Sequence, residues 1–357
     1  MSILSLLVVL FVVCGVWIGF LKRSLKKLSC TRAFSKTVVT EGDEGELVEV
    51  VRNDSPCTIP WLRLESRTSP YLQLGRQSNV RISGEQFYTS LFTLMPYQQV
   101  RRRHKVRFLR RGAYDLGSAS LTSGDLLGIY HFQRLHQESA PVLVYPRLLD
   151  PEDVPAPLSR MMGDFISRRH LLPDPFLVRG IRPYTPGDPV RDIHWMATAR
   201  TAETQVLVRD YTVETRLLVV LNVQNEDQQW GNHMPAQHLE AMENAIRLAA
   251  TLCVQALREG LHAGFAANMP LGDSRQSVCL LPAGGSAQEE ELLSAFARLN
   301  VVRTENILPF LSALEACQGL DILLLSRYES ESLRTALDKL TAAGNRTYLH
   351  SWGGEEV

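Results

Sequence analysis

The chain has 357 residues, 45% of them hydrophobic and 21% charged, enough for about two or three globular cores without disulfide or metal staples. Lysine plus arginine and aspartate plus glutamate both number 38, so overall charge points to no nucleic-acid partner, and any electrostatic function must come from local patches. Six scattered cysteines show no C-x-x-C pair, and the absence of G-x-x-x-x-G-K-[ST], G-x-S-x-G and H-E-x-x-H excludes a P-loop nucleotide hydrolase and offers no familiar hydrolase site.

Met1 to Leu21 carries no charge and as a helix would be about 30 Å long, which spans a bilayer. Lys22, Arg23, Lys26 and Lys27 follow the apolar run rather than precede it, unlike a signal peptide. The sequence therefore predicts a transmembrane anchor over 1–22, with the lipid bilayer as its partner. By the positive-inside rule it predicts a single-pass protein of the cell membrane with the bulk of the chain cytoplasmic.

Residues 37–147 read as β-structure: short apolar-alternating runs such as GELVEVV, WLRLES and HKVRFLRRGAYDLG are separated by Gly, Pro and Asn-Asp turns, the pattern of a β-sandwich-like domain. Inside it lies the basic run Arg101, Arg102, Arg103, His104, Lys105, Arg107, Arg110, Arg111. Such a run is either a solvated strand edge that resists unwanted pairing or a face towards anionic lipid or nucleic acid.

Residues 148–180, rich in proline and mixed charge, read as a linker with one short helix. Residues 181–211 begin IRPYTPGDPVRDIHW, where Asp188 before Pro189 predicts a capped helix from Pro189 to about Ala199. That helix would place Val190, Ile193 and Ala197 on an apolar stripe, with Arg191 stacked on Trp195. Arg179, Arg182 and Arg200 beside Asp188 and Asp192 make either an ion-pair network or a holder for a phosphate, a carboxylate or an acidic loop.

From 212 to 357 the pattern changes class: the apolar strands RLLVVLNV, HAGFAAN, SVCLLPA, DILLLSRY and RTYLHSW are interspersed with helices such as QHLEAMENAIRLAATLCVQALREG, stopped by Gly260. That alternation predicts an α/β domain with a parallel sheet covered on both faces. Ligands of such sheets bind beyond the carboxyl ends of the strands, here at 222–227, 268–273 and 326–329. His233 and His238, five apart where a helix begins, read as an ordinary polar loop rather than a metal pair.

The signature Arg182, Tyr184, Gly187, Asp188, Arg191, Ile193, Trp195, Ala199, Arg200 resembles that of the bacterial family called domain of unknown function 58, and RRGAYDLGSASLTSGDLLGIY is similar to a second hallmark of it. The resemblance implies a membrane-anchored chain with a β-sandwich followed by a von Willebrand factor A-like, Rossmann-type α/β domain. It also implies association with a MoxR-type AAA+ ATPase in chaperone-like assembly or cell-envelope processes. The expected fold class is thus an α+β multi-domain chain: transmembrane helix, β-sandwich-like domain, then parallel-sheet α/β domain.

A von Willebrand A-like domain often holds a divalent metal with D-x-S-x-S after its first strand. Here Asn222, Gln224 and Glu226 occupy those positions, so the site departs at every ligand and no metal or other cofactor is expected. The expected function is that of a non-enzymatic interaction or adaptor protein, with Arg182, Tyr184, Gly187, Asp188, Arg191, Trp195 and Arg200 as signature and docking residues. The alternative is an envelope hydrolase at the strand ends, using Glu226, Asp227, Asp273 or His262.

Overall fold

The computed structural model of the chain describes residues 26–352 and positions 12, 15, 16 and 19, apart from 76–79, 84–86, 125–130, 138, 172, 212–214, 228, 230 and 232–234. The chain divides into two units, Met1–Arg147 and Leu148–Val357.

The strands of the first unit are β1 (Leu28–Phe34), β2 (Val38–Thr40), β3 (Glu44–Asn53), β4 (Ile59–Arg67), β5 (Leu72–Leu74), β6 (Val80–Ser83), β7 (Phe87–Leu94), β8 (Gln99–Phe108), β9 (Gly112–Asp115), β10 (Ser118–Gly124), β11 (His131–Gln137) and β12 (Pro141–Tyr145). They form sheets ordered β1-β3-β8-β5, β11-β10-β4-β7-β6 and β2-β12-β9. Alternation in the sequence becomes alternation of burial, as in β1, where Leu28, Cys30 and Arg32 point inward and Ser29, Thr31 and Ala33 outward. The inward side chains of the first two sheets meet in one core: Leu28, Cys30 and Val51 pack with Ile59, Leu62, Leu64, Phe92 and Leu121. A guanidinium is buried with them: Arg32 donates to Ser66 Oγ and to the Gly117 carbonyl, both at 2.7 Å.

A buried polar triangle lies between the same sheets. Tyr88 Oη is 2.7 Å from His104 Nε2 and 3.2 Å from Glu49 Oε2, and that carboxylate oxygen is 3.0 Å from the same ring nitrogen. All three residues are buried, and burial followed by the Glu49 charge pushes the Tyr88 hydroxyl far above the ordinary phenol range. Periodicity alone hides the triangle, because an inward-facing His or Glu on an alternating strand looks like a lapse in the pattern.

The second unit contains α1 (Ala156–Leu171), β13 (Pro173–Pro183), a 3-10 turn at Val190–Asp192, α2 (Trp195–Thr201), β14 (Gln205–Tyr211), β15 (Arg216–Leu221) and α3 (Ala236–Arg258). It continues with β16 (His262–Pro270), β17 (Ser277–Ala283), α4 (Ser286–Arg298), α5 (Ile307–Ala313), β18 (Asp321–Ser326), α6 (Glu331–Ala342) and β19 (Arg346–Ser351). β13 and β14 pair as a separate antiparallel ribbon; the main sheet is ordered β17-β16-β15-β18-β19. Its central strand RLLVVL is buried from Leu217 to Leu221 because helices cover both faces. Leu217, Val219 and Leu221 pack against α3, while Leu218 and Val220 pack against α5 and α6. Leu158, Met162 and Phe165 of α1 join the first of these cores, so the stretch read as a linker contributes a packed helix.

The fold expected from the sequence needs correction in two places. Among the described residues no helix is long and apolar enough to cross a membrane, and the anchor expected at 1–22 falls almost wholly outside those residues. The expected Rossmann-type parallel α/β domain is not what forms either. The sheet is mixed, since β17 runs antiparallel to β16, and with the ribbon and the first unit the chain is predominantly β. The cause is chain length: 271–276 is too short for the roughly dozen residues that a parallel crossover requires, so the chain turns straight back. The return is close. A Cβ on Gly264 of β16 would stand 2.5 Å from the Leu280 carbonyl oxygen, which requires glycine at that bulge.

The buried triangle yields a stability prediction. Glu49→Ala removes the carboxylate acceptor that the His104 ring and the Tyr88 hydroxyl share, leaving the two only each other, and should destabilise the protein by about 1–3 kcal/mol, read as a lower urea midpoint. Glu49→Gln, which keeps an acceptor oxygen, should lose less. An unchanged midpoint for Glu49→Ala would show that the triangle contributes nothing to stability.

Candidate functional site

The signature segment is the loop that joins β13 to β14. Arg182 and Asp188 form a two-pronged ion pair, with Arg182 Nη1 to Asp188 Oδ2 at 2.8 Å and Nη2 to Oδ1 at 2.6 Å. The same Oδ2 accepts from the Thr185 backbone N–H at 2.8 Å, and Arg182 also donates to Thr185 Oγ1. Asp188 N–H returns to the Thr185 carbonyl, which closes the turn. Gly187 sits at φ +119°, a conformation that disfavours any side chain and explains the glycine. The Arg182 guanidinium, and next the Thr185 N–H, hold the Asp188 carboxyl below the usual carboxylate range.

Asp188 therefore clasps the turn rather than capping a helix. The expected helix from Pro189 to Ala199 is broken: Val190–Asp192 is a 3-10 turn, Ile193 is extended and α2 begins only at Trp195. Sheet pairing wins over local helix propensity here, because Ile193 bridges to Val206 of β14 and His194 N–H bonds to the Gln205 carbonyl. The cap is His194, whose Nδ1 accepts from Ala197 N–H at 3.0 Å. Arg191 lies on the other side of the break from Trp195, its Nε 4.0 Å from the carboxylate of its neighbour Asp192. Arg200 is exposed in the last turn of α2 and has no ion-pair partner among the described residues.

What the break exposes is apolar. Val190 is 68% exposed, Trp195 68% and Met196 67%, with Tyr184 and Ile181 also at the surface. Trp195 and Tyr184 belong to the signature in the sequence, whereas Val190, expected on an apolar stripe of one helix, and Met196 emerge as surface residues only in the structure. The available signal was Trp195-Met196 side by side, which one amphipathic helix face cannot bury together.

The second site lies at the carboxyl ends of β15, β16 and β18. Asn222 and Gln224 are fully buried, whereas Glu226 is exposed, so the three positions do not converge. Asn222 Oδ1 accepts from Gln224 N–H at 3.0 Å and Asn268 Nδ2 at 3.4 Å, and Asn222 Nδ2 donates to Ser326 Oγ at 3.1 Å. Asn268 Oδ1 accepts from Val223 N–H, and Gln224 Oε1 accepts from Ile307 N–H at the start of α5. Gln224 Nε2 is buried without a hydrogen-bond partner.

This donor set does not fit a divalent cation. The amide oxygens of Asn222, Gln224 and Asn268 already accept backbone or side-chain N–H groups, and the unpaired atom is itself a donor. Asp227 accepts from Ser332 Oγ at 2.7 Å. Among the described residues no group of three or more His, Cys, Asp or Glu gathers in a metal-binding arrangement; His233 lies outside them. The hydrolase residues are likewise scattered, with His262 at the amino end of β16, paired with Arg216, and Glu226 and Asp227 beyond the carboxyl end of β15.

Asn222→Ala unbonds buried groups on β16 and β18 and in the loop after β15, and should cost about 1–3 kcal/mol in urea unfolding. Calorimetric titration of the parent protein with magnesium should show no micromolar binding, and micromolar binding that Asn222→Ala abolishes would refute a metal-independent site. At the clasp, Asp188→Ala should speed amide exchange of 182–188, because Thr185 N–H loses its acceptor. The depressed carboxyl keeps the clasp closed above the ordinary carboxylate range and lets it open only as pH falls through the lowered value, so protection of the Thr185 N–H relative to an unstructured amide should fall late in an acid titration. Equal exchange in parent and variant would deny the clasp any role.

No curated protein matches the chain. Among solved structures it is similar to E. coli alpha-2-macroglobulin at 17% identity and a TM-score of 0.25, over 34% of this chain and only 7% of that one. It is also similar to the CARDB domain of a Pyrococcus furiosus protein (15% identity, TM-score 0.21, 33% of this chain and 93% of that one). A PapD-like domain of human CEP192 gives 14%, 0.23, 33% and 86%. Likenesses this slight say nothing of fold or function. Residues 180–299, which include the clasp, α2 and the strands β15 to β17, match the family described as "Protein of unknown function DUF58", and that match supports the family on which the signature rests.

Proposed function

We propose that this is a non-enzymatic interaction protein that docks a MoxR-type AAA+ ATPase, as an adaptor in chaperone-like assembly or cell-envelope processes. The observation that carries the docking reading is the exposure of Val190, Trp195 and Met196 on one short segment, beside the exposed Arg191 and Arg200. Aromatic, methionine and arginine side chains dominate the energetics of protein interfaces. Their exposure leaves apolar surface in water, at a cost of about 25 cal/mol per Å², that a partner would remove. The clasp holds the loop in shape beforehand, which lowers the ordering entropy lost on binding. The ATPase as partner rests on the family resemblance, together with a sequence that carries no nucleotide-binding motif of its own.

Crosslinking in the native host followed by pull-down should recover an AAA+ ATPase with the parent chain. Trp195→Ala/Met196→Ala should recover at least about tenfold less, a loss of the size expected for two central interface anchors, with unchanged thermal unfolding. Recovery of no AAA+ ATPase from the parent would sink the adaptor reading. Equal recovery by the double variant would move the docking surface elsewhere.

A further inference from the structure

On the first unit, the outward face of β1, β3 and β8 forms a groove of about 470 Å³. Its floor is small and aliphatic, made by Ala33, Val48 and Val50, and its wall is the row of guanidinium groups at Arg101 and Arg103. The register explains the shape. Thr31, Val50 and Arg101 stand in one cross-strand row, and Ala33, Val48 and Arg103 in the next, so each row rises from a short side chain on β1 to a long one on β8.

The basic run identified in the sequence separates here into two faces. Arg102 and His104 turn inward, Arg102 over the Phe92 ring at 4.0 Å and His104 into the buried triangle. Arg101, Arg103, Lys105 and Arg107 all point outward and are exposed. Their charge is not cancelled evenly. Glu46 lies 3.6 Å from Arg103, and Glu44 is the cross-strand neighbour of Arg107. Arg101 faces Val50 and has no ion-pair partner among the described residues. Among the groove's arginines the charge without a neighbouring carboxylate is therefore that of Arg101, beside the Val50 floor, while Arg103 shares its charge with Glu46, which also lines the groove.

We infer that this groove binds an extended acidic segment of a partner protein, with carboxylates at alternate positions, all on its groove-facing side, paired with Arg101 and Arg103 and their methylene stems over the Val48 and Val50 floor. Side chains on one face of an extended chain repeat every about 6.8 Å, the same interval that separates Arg101 from Arg103 along β8, so carboxylates two residues apart meet both guanidinium groups. A bilayer surface or a nucleic acid is a poorer match. Both favour exposed aromatic rings for interfacial anchoring or base stacking, whereas the aromatic ring in the groove lining, Phe34, is partly buried against Phe108. This surface is independent of the Trp195 segment and of the adaptor reading.

The test uses the full chain and fluorescein-labelled peptides of about ten residues that alternate glutamate with valine or lysine with valine, followed by anisotropy. The Glu/Val peptide should bind saturably and weaken as salt rises. Arg101→Glu/Arg103→Glu should reduce that binding at least about tenfold and create binding of the Lys/Val peptide, with an unchanged melting transition because both side chains are exposed. The inference is overturned if the two peptides bind the parent equally, if the double variant binds the Glu/Val peptide as before, or if no saturable binding appears by about 1 mM. It is overturned in favour of another occupant if phosphatidylserine vesicles or a single-stranded oligonucleotide bind more tightly than the peptide and lose that binding in the double variant.

Discussion

The strand Arg216–Leu221 is apolar on both faces, and the second unit is organised around the need to bury it twice. One layer of helices cannot do this, so α1, α3 and α4 cover one side and α5 and α6 the other. A strand buried this deeply ends in a place where water does not reach its backbone groups. The chain meets that constraint with neutral amides: Asn222, Gln224 and Asn268 take up the backbone N–H groups of Gln224 and Val223 just past β15 and of Ile307 at the start of α5. Charged carboxylates at these positions would carry a large desolvation cost without a cation to offset it. Amides carry none of that charge and tie the strand ends together directly.

The first unit solves a related problem in another way. Its cores admit ionisable groups, but each enters with partners: Arg32 with Ser66 and the Gly117 carbonyl, Glu49 with His104 and Tyr88. The same strand, β8, supplies a buried histidine on one face and a row of exposed cations on the other. Period-two geometry makes this possible, since one residue step along a strand exchanges core for solvent. A basic run that looks uniform in one dimension is thus two chemically different surfaces.

The clasped loop between β13 and β14 combines local rigidity with exposed apolar surface. Arg182, Thr185, Gly187 and Asp188 settle one turn by short-range contacts, and pairing of Ile193 and His194 with β14 stops the following residues from continuing as one helix. Val190, Trp195 and Met196 are left at the surface as a consequence.

Much of the element pattern was determined by the sequence alone. The apolar strand RLLVVL, the long helix over 236–258, the helices over 286–298 and 331–342 and the strand over 321–326 follow from periodicities of 2 and 3.6, because those repeats directly encode which face is apolar. The pairing of Arg182 with Asp188 was also legible, as one of two readings of opposite charges close in the chain. That Asp188 caps no helix was not, because it depends on whether Ile193 finds a strand to pair with, and that strand begins at Gln205. The antiparallel return of β17, the convergence of Glu49, His104 and Tyr88, and the groove beside Arg101 likewise belong to the tertiary structure. Periodicity reports what each segment presents. What stands opposite is decided only when segments distant in the chain are brought together, and burial, hydrogen bonding and uncompensated charge are all properties of that opposite side.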